Sequence, residues 1–196
     1  METGGGEIFS SLAPFPKHAV AYEGYEPNIP IARRRLTPLG VGVVRADSFP
    51  LPFKDAEFDL VLNRHGAIDA AEIHRILENG GLFLTQQVTG SDGLHDLARE
   101  FRAKRKFRHI TLREYEKQLR AVGFEISKSH KHSGKLVFRD VGAIVYYLKA
   151  IPWAVPGFSV EGKLSHLKKL QAKIEKERKL EFEAAKFMIL ARKPPI

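Results

Sequence analysis

Four short stretches of this chain carry residues that could do chemistry together. Thr3-Gly4-Gly5-Gly6-Glu7 is a glycine run at the front, and Glu23, Asp47 and Asn63-Arg64-His65 follow it. Without Cβ atoms, such a run can turn tightly and let a ligand lie against the backbone. An acid about twenty residues further on, here Glu23, can accept both hydroxyls of a ribose. A second acid, Asp47, can accept an exocyclic amine such as adenine N6, with Gly24, Tyr25 and Phe49 flanking the ring. Histidine as a residue type suits proton transfer near neutral pH, so His65 is a candidate general base, although a residue that merely lines the pocket is the preferred reading. Together these residues describe a nucleoside site rather than a bare phosphate site.

Ligands of open α/β sheets bind outside the carboxyl ends of the strands, so each of these residues should end a strand. The apolar patterning supplies the strands. Ile8, Phe9 and Leu12 have helical spacing after the glycines, and Pro14 and Pro16 end that helix. His18 to Glu23 reads as a short buried strand. Asn28 to Leu39 reads as a helix with Pro30 in its first turn, Ile29, Ile31, Ala32 and Leu36 inward, and Arg33, Arg34 and Arg35 largely outward. Gly40 stops it. Val41 to Asp47 is a second strand and Phe58 to Asn63 a third. Asp69 with Glu72 is a capping pattern for a helix to Leu77, after which Asn79-Gly80-Gly81 turns the chain into a strand from Leu82 to Val88. Strands alternating with helices imply an α/β, doubly wound, Rossmann-like sheet, mostly parallel, with an antiparallel last strand.

Beyond Val88 the texture changes. Leu94 to Lys104 reads as a basic amphipathic helix, and Thr111 to Glu114 as a capping box for a helix ending at Gly123. Phe124 to Lys128 is a strand, Val141 to Ile151 an apolar helix, Ser159 or Glu161 to Lys179 a charged helix, and Glu183 to Arg192 the last strand. A single domain is expected, with 1–88 as cofactor-binding half and 89–196 as substrate-side half. A helical insertion at about 138–180 would cover the substrate. Its aromatics, Phe138, Tyr146, Tyr147, Trp153 and Phe158, either line a pocket or pack the insertion onto the sheet. Packing is favoured for most, and Trp153 and Phe158 stay open.

Composition narrows the function classes. The 196 residues contain no cysteine, which removes disulfides, thiolate metal sites and a cysteine nucleophile. No histidine pair at metal-ligand spacing has suitable carboxylates, so no metal is expected, and His130 and His132 read as surface residues of a polar loop. No apolar run approaches a membrane span and no signal peptide opens the chain, so a cytoplasmic protein is the default. The formal charge of +9 suits an acidic partner such as nucleic acid or anionic lipid. Arg99 to Arg108, with Phe101 and Phe107 interleaved, could track an RNA backbone. A solvated helix with two core phenylalanines explains the same residues and is preferred.

The chain resembles the class I S-adenosylmethionine-dependent methyltransferases, in the broad group that includes the ubiquinone and menaquinone biosynthesis enzymes. The carriers are Glu2-Thr3-Gly4-Gly5-Gly6, Tyr22-Glu23-Gly24-Tyr25, Arg45-Ala46-Asp47-Ser48, Leu51-Pro52-Phe53 with Phe58-Asp59-Leu60-Val61, and Ile76-Leu77-Glu78-Asn79-Gly80-Gly81-Leu82. The likeness covers Met1 to about Val88. Beyond that it is architectural, with Ala121-Val122-Gly123-Phe124 similar to the entry to the next strand. It implies S-adenosyl-L-methionine as cofactor, with Gly4 and Gly6 near its methionine part, Gly5 between them, Glu23 on the ribose and Asp47 on the adenine. Gly24 and Ser48 would adjoin these acids, and Asn63 and Arg64 would lie beside the cofactor. Transfer from a sulfonium needs proximity and in-line orientation more than a base, so His65 is not required as one.

Two departures stand out. The family's loop usually has glycine where Glu2 stands, and its first strand is missing, which implies a fold that began before Met1 and an incomplete cofactor site. Asn63-Arg64-His65 is not the Asn/Asp-Pro-Pro-aromatic loop of many nucleic-acid amino-methyltransferases. The expected activity is methyl transfer to a small-molecule acceptor, or to RNA, entering under the helical insertion. The rivals are a degenerate, non-catalytic binding protein and a nicotinamide-dependent oxidoreductase. The latter is disfavoured by Asp47, by Asn79-Gly80-Gly81-Leu82-Phe83 and by the lack of a convincing Tyr-x-x-x-Lys pair.

Overall fold

The computed structural model describes residues 1–46, 49–90, 95–104 and 107–195. By compactness the chain divides into one unit of Met1–Gln87, Tyr115–Ser129 and Met188–Ile196, and a second of Val88–Glu114 and His130–Phe187.

The first unit begins with the glycine loop and a single helical turn, α1 (Glu7–Ser10). Phe9 packs on Phe15, with ring centroids 4.8 Å apart. One turn cannot bury a face, so Ile8 and Leu12 stay exposed. Strand β1 (Val20–Glu23) leads through α2 (Ile29–Leu36) to β2 (Gly42–Arg45), and the strands pair in parallel from Val20↔Gly42 to Glu23↔Arg45. Ala32 and Leu36 pack with Ala21 and Val41. Ile31 was expected inward but is 44% exposed, because the stripe through Ile29, Ala32 and Leu36 is centred about 130° around the helix from it. The helix also ends sooner than expected. A 3-10 turn, Thr37–Leu39, follows it, and Gly40 closes it at φ 80°.

The next crossover repeats the pattern. Strand β3 (Phe58–Arg64) passes through α3 (Ala70–Ile76) to β4 (Leu77–Val88), in parallel. Asp69 caps α3 as expected, accepting the Glu72 N–H at 3.0 Å. Asn79-Gly80-Gly81 does not precede the strand but interrupts it. The register moves from Phe58↔Leu77 to Leu60↔Leu82, and Gly80, at φ 85°, absorbs the extra residues.

The remaining elements in chain order are α4 (His95–Glu100), α5 (Leu112–Ala121), β5 (Glu125–His132), β6 (Lys135–Phe138), α6 (Val141–Ala150), α7 (Val160–Glu177), β7 (Leu180–Glu183) and β8 (Lys186–Arg192). The main sheet runs β3-β4-β8-β5. Gly80 N–H donates to Lys193 O and Thr89 N–H to Ala185 O, so β8 runs antiparallel to β4. The result is the Rossmann-like, mostly parallel sheet with a reversed last strand that the patterning implied. His130 and His132, expected in a loop, lie on β5, where the extended backbone continues, and both are exposed.

The family's first strand, expected from the sequence to be missing, has no counterpart between β1 and β3 among the described residues, and Met1–Thr3 makes the connection. The Met1 nitrogen donates to Leu62 O at 2.8 Å on β3, and Thr3 N–H donates to Tyr22 O at 3.1 Å on β1.

In the second unit the insertion is framed by a hairpin the sequence did not announce. β6 and β7 pair antiparallel from Lys135↔Glu183 to Phe138↔Leu180, with α6 and α7 between them in the chain. Asp140 and Ser159 cap these helices. Phe138, Ile144, Leu148, Leu167, Leu170 and Ile174 form the core. Helix α4 ends at Glu100 rather than Lys104, since Arg102 turns left-handed at φ 54°. Phe101 joins the core, whereas Phe107 is 42% exposed. Leu94 of the expected helix, and Arg105 and Lys106 of the basic stretch Arg99 to Arg108, lie outside the described residues.

Candidate functional site

The glycines of the loop differ in what surrounds them. Gly6 sits at φ 82°, and a Cβ there would stand 2.9 Å from Leu36 Cγ, so this position carries the packing of the loop on α2. A Cβ on Gly5 would meet the Glu7 carboxylate at 2.5 Å. Gly4, at φ 61°, has nothing within 4 Å of a Cβ position and borders open space. Arg35, on α2, donates to Gly5 O and, at 2.6 Å, to Glu7 Oε1. It clamps the loop to the helix that follows β1.

Glu23 is 5% exposed at the end of β1. Its Oε2 accepts Gly4 N–H at 2.6 Å and its Oε1 accepts Tyr25 N–H at 2.7 Å. The strand-end acid and the glycine loop, which the spacing set as partners, are thus hydrogen-bonded to each other. Each carboxylate oxygen retains a lone pair for a further donor. Tyr25 is 65% exposed and Phe49 half-buried. Asp47 and Ser48, expected beside the adenine, lie outside the described residues.

Glu2, read in the sequence as a departure, brings a second carboxylate. It holds a left-handed backbone at φ 50°, a conformation that favours glycine. Its Oε2 accepts Ala67 N–H at 3.3 Å and lies 2.6 Å from where a Gly66 Cβ would stand. Although Glu2 is exposed as a residue, burial around its carboxyl and the charge of Glu23 push its pKa above the ordinary range, against the Ala67 hydrogen bond. Tyr22 and Tyr115 are shifted up by burial and by the Glu2 charge. Thr3 Oγ1 is buried with no hydrogen-bond partner among the described residues.

Asn63, one residue before the end of β3, faces a buried polar network. Its Oδ1 accepts from Thr85 Oγ1 at 3.0 Å and Gln87 Nε2 at 2.7 Å, and Gln87 Nε2 also reaches Gly66 O at 3.0 Å. Thr85 and Gln87 went unnoticed in the sequence. Their signal was there, since Phe83, Thr85 and Gln87 alternate on β4 and two polar residues occupy the inward positions. Arg64, next along β3, points to the other face, where its Nε donates to Gln86 Oε1 at 3.2 Å. His65 is exposed at φ 62°, its backbone N–H donating to Gln86 O at 2.8 Å.

The assembled groups favour a cation. The Glu2 and Glu23 carboxylates stand by the glycine loop, a third, Glu7, is paired with Arg35, and α1 is too short to offset the first two with a helix dipole. A pyrophosphate would meet like charge here. A nucleoside bearing a sulfonium and an amine would meet opposite charge.

The insertion's aromatics divide. Phe138 and Tyr147 pair edge-on at 5.7 Å, and Phe158 pairs with Phe101 at 5.6 Å, so these pack the second unit. Tyr146 and Trp153 are exposed.

Residues 2–85 match the family model of the methyltransferase domain. This bears out the resemblance to methyltransferases carried by the motifs, without singling out the ubiquinone and menaquinone group. No curated protein is significantly similar in sequence. Among solved structures, a candidate methyltransferase of Bacillus halodurans matches with a TM-score of 0.72 at 21% identity, covering 98% of this chain and 90% of that one. An S-adenosylmethionine-dependent methyltransferase of Thermotoga maritima, considered as a histamine N-methyltransferase, matches at 0.56 and 20% identity, covering 98% and 79%. The cyclase SpnF matches at 0.61 and 17% identity, covering 99% and 74%. The chain has the Rossmann-like fold of these proteins.

Proposed function

We propose that this chain, whose residues 2–85 match the methyltransferase-domain family, is a class I, S-adenosylmethionine-dependent enzyme that transfers a methyl group from that cofactor to a small-molecule acceptor. The observation that carries the cofactor reading is the Glu23 carboxylate, buried and tied to Gly4 N–H and Tyr25 N–H beside a second carboxylate, Glu2. The residues present suit the group: Gly4 borders open space, and the two acids suit its positive charges. In this reading Glu23 accepts the ribose hydroxyls, Gly4 and Gly5 let the methionine part approach, Gly6 holds the loop on Leu36, and Asp47, with Gly24 and Ser48 alongside, takes the adenine. Asn63, fixed by Thr85 and Gln87, orients the 63–67 turn. Arg64, paired with Gln86 on the other face, is the weakest member of the set. When bound, the cofactor supplies an electrophilic methyl on sulfonium, and the chain's task is to orient it and exclude water. Residues 1–88 serve the cofactor and 89–196 the acceptor, in the cytoplasm.

The basic stretch Arg99 to Arg108 gives little support to an RNA acceptor. Arg99 pairs with Asp96 at 2.8 Å, and Phe101 is buried. SpnF is named a cyclase, so the fold alone does not fix the reaction. Calorimetric titration with S-adenosylmethionine and with NADH tests the cofactor, and release of S-adenosylhomocysteine in the presence of a metabolite extract tests turnover. S-Adenosylmethionine should bind and NADH should not. Glu23→Ala should weaken binding roughly tenfold to a hundredfold, as loss of charge-assisted hydrogen bonds implies. Normal binding by that variant would remove the ribose assignment, and binding of NADH alone would remove the whole reading.

A further inference from the structure

All of the formal net charge of +9 falls in the unit of Val88–Glu114 and His130–Phe187, since the other unit has as many acidic as basic residues. Within the charged unit, α7 has two faces. Leu167, Leu170 and Ile174 are buried in the core. Ser165, Lys168, Lys169, Ala172 and Lys176 recur at helical spacing on the opposite side, with one acid, Glu161, in the first turn of the same arc, and all are exposed. Among the described residues no acid pairs with these three lysines.

The turn between α6 and α7 adds an apolar component. Trp153, in the connection, is 51% exposed, and Leu164, one turn into α7, is 48% exposed. Lys149, in the last turn of α6, is exposed and Lys163 half-buried. The core is filled without Trp153 and Leu164, so packing does not explain them.

We propose that the α6–α7 hairpin docks on an anionic lipid surface, with Trp153 and Leu164 entering the headgroup region and Lys168, Lys169 and Lys176 facing the lipid charge. An indole at the boundary has an apolar body and a polar N–H, which suits a surface apolar on one side and wet on the other. The cations of this face are lysines alone, point charges suited to a diffuse anionic surface. Reading a nucleic acid favours the planar fork of arginine. No helix among the described residues is long and apolar enough to cross a membrane. What the hairpin offers is peripheral attachment, and it is independent of the cofactor reading.

Trp153 is the only tryptophan of the chain, so its fluorescence reports on this site directly. The full chain is titrated with vesicles of phosphatidylcholine, with and without phosphatidylglycerol, and sedimentation is measured in parallel. Vesicles containing phosphatidylglycerol should shift the emission to the blue and pellet the protein, and added salt should reverse both. Lys168→Ala with Lys169→Ala should weaken vesicle binding roughly twentyfold, at about fivefold per charge. Leu164→Asp should lose the blue shift, and circular dichroism should confirm that both variants are folded. The proposal is overturned if phosphatidylglycerol produces neither shift nor pelleting at low salt, if the folded lysine variant binds like the parent, or if a single-stranded RNA oligonucleotide quenches Trp153 at lower concentration than the vesicles act.

Discussion

Gly4 and Gly6 have similar backbone angles and opposite surroundings, and this separates stability from binding at the residue scale. Gly6→Ala puts a methyl within 3.0 Å of Leu36 at positive φ. It should cost about 2–4 kcal/mol in urea unfolding, from strain plus overpacking. Gly4→Ala carries the strain without the clash and should cost about half that, but should weaken S-adenosylmethionine binding more than it weakens the fold. Equal effects of the two variants on both measurements would refute the division. Glu2 gives a pH test. Its pKa is raised by burial, and a bound cation favours the charged carboxylate. Cofactor affinity should therefore fall as pH drops through that raised value, starting above the ordinary carboxylate range. Glu2→Gln should bind more weakly at neutral pH and flatten the profile measured by calorimetry.

At the scale of elements, two side chains of α3, Arg75 and Glu72, hold the connection from Phe49 to Glu57, beside backbone bonds from Ala56 to Arg75 O and Glu57 to Ile76 O. Arg75 on α3 donates to Phe53 O at 2.8 Å, Leu51 O at 3.2 Å and Asp55 Oδ1 at 2.7 Å, and pairs with Glu72, which accepts Leu51 N–H. Arg75→Met should destabilise the protein by about 1–3 kcal/mol, since it strands both carbonyls and the Glu72 carboxylate. The hydrogen bond from Arg75 holds the Glu72 pKa below its usual value. A depressed carboxylate contributes stability that is present above its unfolded-state pKa and lost as pH falls through the folded one. Urea midpoints measured down the acid range should fall through that window, and Glu72→Gln should make the fall shallower. This clamp was only half legible in the sequence. Asp69 and Glu72 announced a helix start, and the cap is there, but the Glu72 side chain turns to Arg75 and Leu51, a tertiary choice that spacing cannot reveal. The β-α-β alternation was legible because each strand is a short apolar run ended by an acid or a turn. The β6–β7 hairpin was not, because Lys135–Phe138 and Leu180–Glu183 are four residues each and separated by two helices. In the site, Glu23 could be read from spacing to the glycines. Glu2 could not, since its role depends on a backbone conformation unusual for a glutamate.

At the scale of the molecule, the two units divide the labour that composition lumps together: one is neutral in formal charge and holds the glycine loop, the other carries the excess cations. Within the neutral unit the β1–β2 pair and β3 share no strand ladder among the described residues. The Met1 and Thr3 bonds to Leu62 and Tyr22 join them, with Glu2 reaching Ala67 and His18 stacked on Phe58 at 5.5 Å and 3.6 Å from Glu57. The long strand β4, by contrast, is paired on both sides, to β3 and β8. Such a joint should let β1, α2 and β2 open as a cooperative piece while the rest stays folded. Amide protons of Tyr22 and Val44 should then exchange with solvent deuterium through a common, lower-energy opening, well before those of Phe83 to Gln87. A single exchange class across both groups would contradict this. Since Glu23 sits on the piece that opens and bonds Gly4 on the loop, any ligand seated across them would act as a latch, and its occupancy would be written in the protection of amides it never touches.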